Sequence, residues 1–209
     1  MSDQRFLDTA IGRLAQRGVT RRFARGVILI QEGDEGGALY IVLSGQIKVF
    51  VQGDDGREFV LGLFEAGDYV GEMSLDGGPR SASVMTTQAT RCSVVSRAVL
   101  TDYLKDHPEF AFDLLSRVIR RARLATESVR GLALMNVYSR IAQLLQSQPQ
   151  TGKSTGEHRI QRLSHQDIAN RVGCSREMVS RIMKDLATGG YLSVGQDVIT
   201  LSKPLPAAW

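Results

Sequence analysis

The stretch RLSHQDIANRVGCSREMVSRIMKDLATGGYLSV, Arg162 to Val194, holds two short apolar-periodic runs separated by a glycine. Ser164 stands before the first run (Ile168, Ala169, Val172), with Asp167 three residues on. That spacing resembles a capping box, in which a hydroxyl and a carboxylate satisfy the orphan amides of a helix start. Gly173 closes this helix and Ser175 caps the next. At about 100° per residue, the second helix gathers Arg176, Glu177, Ser180, Arg181 and Lys184 on one face. Met178, Val179, Ile182, Met183 and Leu186 take the other. Two short helices joined at a glycine turn make a helix-turn-helix. Tyr191–Val194 and Val198–Leu201, around Gly195, add a hairpin wing. An ordinary surface helix would share the amphipathic face but would not bring the capped neighbour, the turn and the wing.

The polar face suits duplex DNA. Arginine is the preferred reader of guanine, glutamate accepts from cytosine N4, and serine or lysine can hold phosphate. Arg159, Arg162, Arg171, Arg176, Arg181 and Lys184 outnumber Asp167 and Glu177 in this region, the positive excess that phosphate contacts require. The whole chain of 209 residues carries a net charge of +4, a weaker sign in the same direction.

Length suits two small domains, and 43% hydrophobic with 23% charged residues is an ordinary soluble composition. No apolar run reaches the ~18 residues of a membrane span, and the opening MSDQRFLDTA lacks a signal peptide's apolar core. The expectation is a cytoplasmic protein with no membrane partner. Cys92 and Cys174 form no C-x-x-C, which speaks against a disulfide framework, zinc or an iron–sulfur cluster.

Upstream of the reader lie a polar connector, Ser147 to Glu157, expected on the surface, and a long helical pattern after Pro108. Phe112, Leu115, Ile119, Ala122, Thr126, Val129 and Ala133 recur at three- and four-residue steps. Such a seam serves either a helix lying on its own domain or a coiled coil between two copies. Before Pro108 the grammar changes again. Glycines recur from Gly26 to Gly78 and then none appears until Gly131. Between the glycine turns, Ala38 to Leu43, Gln46 to Gln52, Glu58 to Phe64, Ala82 to Thr86 and Arg91 to Ser96 read as antiparallel strands of a compact barrel or roll.

Inside that region GEMSLDGGPRSASV, Gly71 to Val84, sets Glu72 and Arg80 among glycines and a proline. The pair either bridges across a turn or grips a ligand. Arginine offers a permanent planar fork to phosphate oxygens. Backbone amides near Gly71 and in the Ser74–Gly78 turn are expected to form an anion nest.

With GEMSLDGGPRSASV, SRIAQLL and QDIANRVGCSREMVSRIMKDL in this order, the chain resembles the CRP/FNR transcription regulators, closest to their cyclic-AMP receptor branch. The resemblance covers nearly the whole length. It implies an α+β fold: residues 1–108 a cyclic-nucleotide-binding, jelly-roll-like β-roll, 109–136 a dimerisation helix and hinge, and 137–209 a winged helix-turn-helix. It further implies that Arg80 and Ser81 bind the cyclic phosphate and that Glu72 takes the ribose 2′-hydroxyl, with Gly71, Met73, Ala82 and Arg121 completing the site. Thr126 would reach the base bound by the partner subunit. Ala125 stands where the cyclic-AMP receptor has a second hydroxyl, so cyclic GMP or cyclic di-GMP stays open beside cyclic AMP, as does a ligand-independent regulator. Ser164, His165, Gln166, Ser175, Arg176, Glu177, Ser180, Arg181 and Lys184 become the DNA-contacting set. Arg176, Glu177 and Arg181 are the base readers, and His165 suits a phosphate better than a metal.

The implied partners are a second copy of the chain, a palindromic double-stranded operator and RNA polymerase, with activation and repression both open. No prosthetic group, metal site or catalytic residue is expected. Oxygen-sensing branches need N-terminal cysteines and haem-binding ones a histidine in the roll, whereas the first cysteine is Cys92 and the histidines are His107, His158 and His165. An enzyme would need a nucleophile and base near the glycine-rich stretch. A nucleotide-binding subunit without DNA contacts would leave Ser164–Lys184 unexplained.

Overall fold

In the computed structural model, which describes residues 6, 8–151 and 158–206, the chain forms two units. One runs to Gly53 and resumes over Val60–Ala125; the other comprises Asp54–Phe59 and the chain from Thr126.

The first unit begins with α1 (Ala10–Gln16) and continues through β1 (Val19–Phe23), β2 (Ile28–Ile30), β3 (Leu39–Ser44), β4 (Gln46–Gln52), β5 (Glu58–Glu65), β6 (Tyr69–Val70), β7 (Ser83–Thr86) and β8 (Thr90–Val95). Two four-stranded sheets result, in the orders β1-β8-β3-β6 and β2-β7-β4-β5. The paired strands run antiparallel, with Leu39 opposite Val95 and Val49 opposite Val84. The apolar phases of β3 and β8 bury Leu39, Ile41 and Val95 against Leu14, Leu100 and Phe110; Ile30, Ile47, Val70, Val84 and Cys92 form a second cluster.

The five predicted strands appear at their places with ends shifted by a residue or so. Ser96, expected inside β8, instead caps α2 (Arg97–Asp106), its hydroxyl accepting the Val99 amide at 3.2 Å. Strands β1, β2 and β6 escaped prediction. The first is solvent-exposed along most of its length and shows no alternation, and the others span three and two residues.

Helix α3 (Glu109–Leu134) is continuous for 26 residues. Phe110 and Leu114 pack into the roll. The predicted seam does not: Phe112 is 73% exposed and Val129 65%. Of the two alternatives for the seam, packing on its own domain is thus taken by other residues.

The second unit holds α4 (Val137–Ser147), β9 (His158–Gln161), α5 (His165–Val172), α6 (Arg176–Thr188), β10 (Leu192–Val194) and β11 (Val198–Leu201). Ile141, Leu145, Ile160, Ile168, Val179, Leu186 and Ile199 are its fully enclosed core. The wing gains an unforeseen third strand, because β9 pairs with β11 in the order β10-β11-β9. The expected surface connector is described only as far as Thr151; residues 152–157 lie outside the described residues. No described helix is long and apolar enough to cross a membrane.

Candidate ligand and nucleic-acid sites

Strand β6 delivers the chain to Gly71, whose φ of 97° lies in the left-handed region. A Cβ there would stand 2.6 Å from the Ala38 carbonyl and 2.7 Å from Arg80 Nη1, so both conformation and space demand glycine. A 3₁₀ turn, Glu72–Ser74, follows, anchored by the Ser74 hydroxyl donating to the Gly36 carbonyl at 2.7 Å. On the return, the Arg80 amide donates to the Asp34 carbonyl and the Arg80 carbonyl accepts from Gly33, each at 2.9 Å.

This frame buries the Arg80 side chain, leaving the residue 8% exposed. Its guanidinium donates from Nη1 to the Gly71 carbonyl at 2.9 Å and from Nη2 to the Ala38 carbonyl at 3.0 Å. Among the described residues it has no carboxylate partner. A buried cation held only by carbonyls is costly, because dipoles replace hydration incompletely. The Glu72 side chain is 2% exposed. Its Oε1 accepts from Arg121 Nη1, while Oε2 is buried with no partner among the described residues. Arg121 reaches in from α3, also donates to the Tyr69 carbonyl, and lies over the Phe64 ring at 4.8 Å. Two guanidiniums against one carboxylate leave this enclosure with a surplus of one positive charge.

Gly71, Glu72, Met73, Arg80, Ser81, Ala82 and Arg121, all predicted, line a single cavity of about 40 Å³. That is room for one or two waters. Thr126 is exposed on α3 and is not a lining residue. The apolar wall of Ile30, Val49, Val70 and Val84 was not predicted as part of the site. Alternation marks such residues as inward-facing but cannot say which of them border a void. Nor were Gly36 and Ala38, whose carbonyls hold Ser74 and Arg80; no sequence signal points to a backbone oxygen.

The expected nest in the Ser74–Gly78 turn is corrected. The Leu75, Gly77 and Gly78 amides already donate to Glu72, Ser74 and Asp76 oxygens at 3.0, 3.2 and 2.9 Å. Ser81 and Ala82, by contrast, both line the cavity.

The reader forms as its residues dictate. Ser164 accepts the Asp167 amide at 3.0 Å and donates to its carboxylate at 2.6 Å, completing the capping box. Gly173 adopts φ 68°, and Ser175 accepts the Met178 amide at 3.2 Å. The Ser164 and Ser175 hydroxyls are therefore engaged as caps. His165 Nδ1 and the Ser180 hydroxyl bond each other at 2.8 Å, fastening α5 to α6, and Gln166 donates to Asn170 at 2.7 Å. Arg176, Glu177, Arg181 and Lys184 remain exposed on one face of α6, none in an ion pair among the described residues. Ser164, His165, Gln166 and Arg176 border a groove of about 340 Å³ beside Val194 of the wing. Arg171, counted in the basic excess, is half-buried, and burial pulls its guanidinium pKa below the ordinary value.

A cyclic nucleotide-binding domain matches residues 20–107, and a Crp-like helix-turn-helix domain matches residues 139–204. A CRP-like cAMP-activated global transcriptional regulator of Mycobacterium tuberculosis is 35% identical over 182 residues, 85% of this chain and 81% of that protein. The cAMP-activated global transcriptional regulator CRP of Salmonella typhimurium is 32% identical over 169 residues, 79% and 80% of the two chains. Among solved structures, the c-di-GMP-responsive global regulator CLP of Xanthomonas campestris superposes with a TM-score of 0.82 at 29% identity, covering 93% of this chain and 99% of that one.

Proposed function

The chain belongs to the CRP/FNR family of transcription regulators, and from that premise we propose a homodimer whose grip on a palindromic promoter site is set by cyclic AMP bound beside Arg80. One observation carries the ligand assignment: on one cavity stand a buried guanidinium with no counter-ion and a buried carboxylate oxygen with no donor, both among the described residues. A cyclic nucleotide supplies both missing groups. Its phosphodiester oxygens accept from Arg80 and from the Ser81 and Ala82 amides, and its ribose 2′-hydroxyl donates to Glu72 Oε2. The single charge of a cyclic phosphate also cancels the enclosure's surplus. A ligand pocket of this class holds roughly 300 Å³ or more, so the cavity must widen. Met73, 51% exposed at its rim, and the Arg121 side chain are the groups free to move without breaking a strand.

The exposed seam of α3 is the surface for the second copy: Phe112, Leu115, Ile119 and Val129 form an apolar stripe of the coiled-coil kind. Two reader helices then address successive major grooves, about 34 Å apart. Arg176, Glu177 and Arg181 meet base edges, and Lys184 and the groove at His165 meet phosphate. The nucleotide acts by favouring the DNA-competent arrangement over the resting one. RNA polymerase is the partner such a DNA-bound dimer would engage. The name of the Xanthomonas relative favours a second effector, cyclic di-GMP; its two phosphates would overfill a site with one surplus charge.

The deciding experiment takes a two-fold-symmetric duplex selected from a random library. Its retardation is followed with no nucleotide, cyclic AMP, cyclic GMP and cyclic di-GMP, alongside sedimentation of the free protein. Dimeric protein whose binding responds most strongly to cyclic AMP is expected. Selection of no duplex, or indifference to all three nucleotides, overturns the reading.

A further inference from the structure

Arg140, in the first turn of α4, takes no part in either site. Its guanidinium donates from Nη1 to the Met135 carbonyl and from Nε to the Val172 carbonyl, both at 2.8 Å. Each acceptor belongs to a helix C-terminus: Met135 directly follows α3, and Val172 is the last residue of α5. The final carbonyls of a helix lack intrahelical donors and carry partial negative charge, which a cation stabilises. One guanidinium thus caps two helices at once. The same two ends also meet through packing, because a Cβ on Gly173 would lie 3.0 Å from Leu132 Cδ2. Arg140 is half-buried and has no carboxylate partner among the described residues.

We propose that Arg140 is a positioning residue for DNA recognition, fixing the direction of the reader against the end of the long helix. The inference rests on the regulator reading above and adds the element that joins its moving parts. Lysine keeps the charge but offers one compact ammonium in place of a planar fork, so a single nitrogen would have to serve the two carbonyls that Nε and Nη1 hold separately.

The test uses the full chain as wild type, Arg140→Lys and Arg140→Ala. Fluorescence anisotropy measures affinity for the selected duplex and for an unrelated duplex, with and without cyclic AMP. Calorimetry gives cyclic AMP affinity, and the thermal midpoint reports folding. Arg140→Lys is expected to keep wild-type nucleotide affinity and wild-type affinity for unrelated DNA. Its preference for the selected duplex should fall about tenfold or more, the effect of losing one charge-assisted hydrogen bond. Where Arg140→Ala fails to fold, the lysine variant decides. An unchanged preference in Arg140→Lys overturns the proposal. So does an equal fall on both duplexes, which marks a merely structural role. If the wild type itself ignores cyclic AMP, the gating reading fails separately, while the preference ratio still judges the clamp.

Discussion

Replacing Arg80 with leucine separates the ligand role of this residue from its structural one. The substitution removes the Arg80 donor from the Ala38 carbonyl, at 3.0 Å, and from the Gly71 carbonyl, at 2.9 Å, which keeps the Ser74 hydroxyl at 3.2 Å. The acceptor left unpaired costs about 1–3 kcal/mol, and the lost bond to the other about 1 kcal/mol more. Against that, a cation at a position only 8% exposed is no longer buried without a counter-ion, a penalty of several kcal/mol. The two terms are similar in size and opposite in sign. The folded state should survive with its thermal midpoint within a few degrees of wild type.

Binding has no such offset. Two charge-assisted bonds to phosphate, at about 1.5–3 kcal/mol each, amount to about 3–6 kcal/mol, or roughly a hundred- to ten-thousandfold in Kd. Calorimetry with cyclic AMP measures this directly. A thermal shift gives an independent reading: at a hundred times Kd, ligand stabilises wild type by about 2.7 kcal/mol, a midpoint gain of roughly 5–10 °C for a chain of this size. Arg80→Leu should show no gain. A folded Arg80→Leu with wild-type affinity would refute the phosphate role. A variant that does not fold at all would show that the two carbonyl bonds outweigh the buried charge.

Gly71→Ala forces a φ of 97° on an L-residue and drives a methyl toward Arg80 Nη1; about 2–4 kcal/mol of stability and most nucleotide affinity should be lost. A urea midpoint matching wild type would contradict this. Arg181→Ala should weaken the selected duplex by about 1–3 kcal/mol and relax preference at one base pair, whereas equal losses on every sequence would reduce Arg181 to a phosphate contact. Burial pushes the Tyr69 phenol up to about 12 and the Cys92 thiol up to about 11, from 10.0 and 9.0. The unfolded chain therefore releases these protons first as pH rises, and stability is full below pH 9 and drains away toward pH 12. About 2 kcal/mol should go between pH 8 and pH 10, and a flat urea midpoint across that range would contradict the burial of both groups.

The two sites differ in how much of them the sequence disclosed. The reader was legible nearly whole, because everything that shapes it is local: Ser164, Asp167, Gly173 and Ser175 act within a few residues of themselves, and the α6 face follows from helical period alone. The cradle was legible as a motif but not as an arrangement. Glu72 and Arg80 stand eight residues apart with a turn between them, yet they form no ion pair among the described residues. Arg80 is held by carbonyls from the 38 and 71 regions and Glu72 by an arginine from α3. Those partners depend on the registers of β3, β6 and α3 together, which no short window encodes. The wing's third strand escaped for the same reason, since β9 is recognisable only from its pairing with β11.

Thermodynamic linkage gives the gating mechanism a test that needs no variant. If cyclic AMP tightens binding to the selected duplex by some factor, that duplex must tighten cyclic AMP binding by the same factor. The equality holds when one two-state change connects the sites. In the proposed dimer the α3 seam introduces a second equilibrium, because apolar residues such as Phe112 and Val129, exposed in the single chain, would be covered on association. At protein concentrations well above the dimer's dissociation constant this equilibrium is saturated, and the two factors should agree within error. Near that constant the factor measured through DNA should exceed the one measured through nucleotide at saturating protein, as DNA and ligand both draw monomers into dimers. Calorimetric titration of cyclic AMP into protein with and without duplex, repeated over a hundredfold range of protein concentration, reads both regimes. Factors that disagree at high concentration would show that the ligand does not act through a single shared change in the dimer.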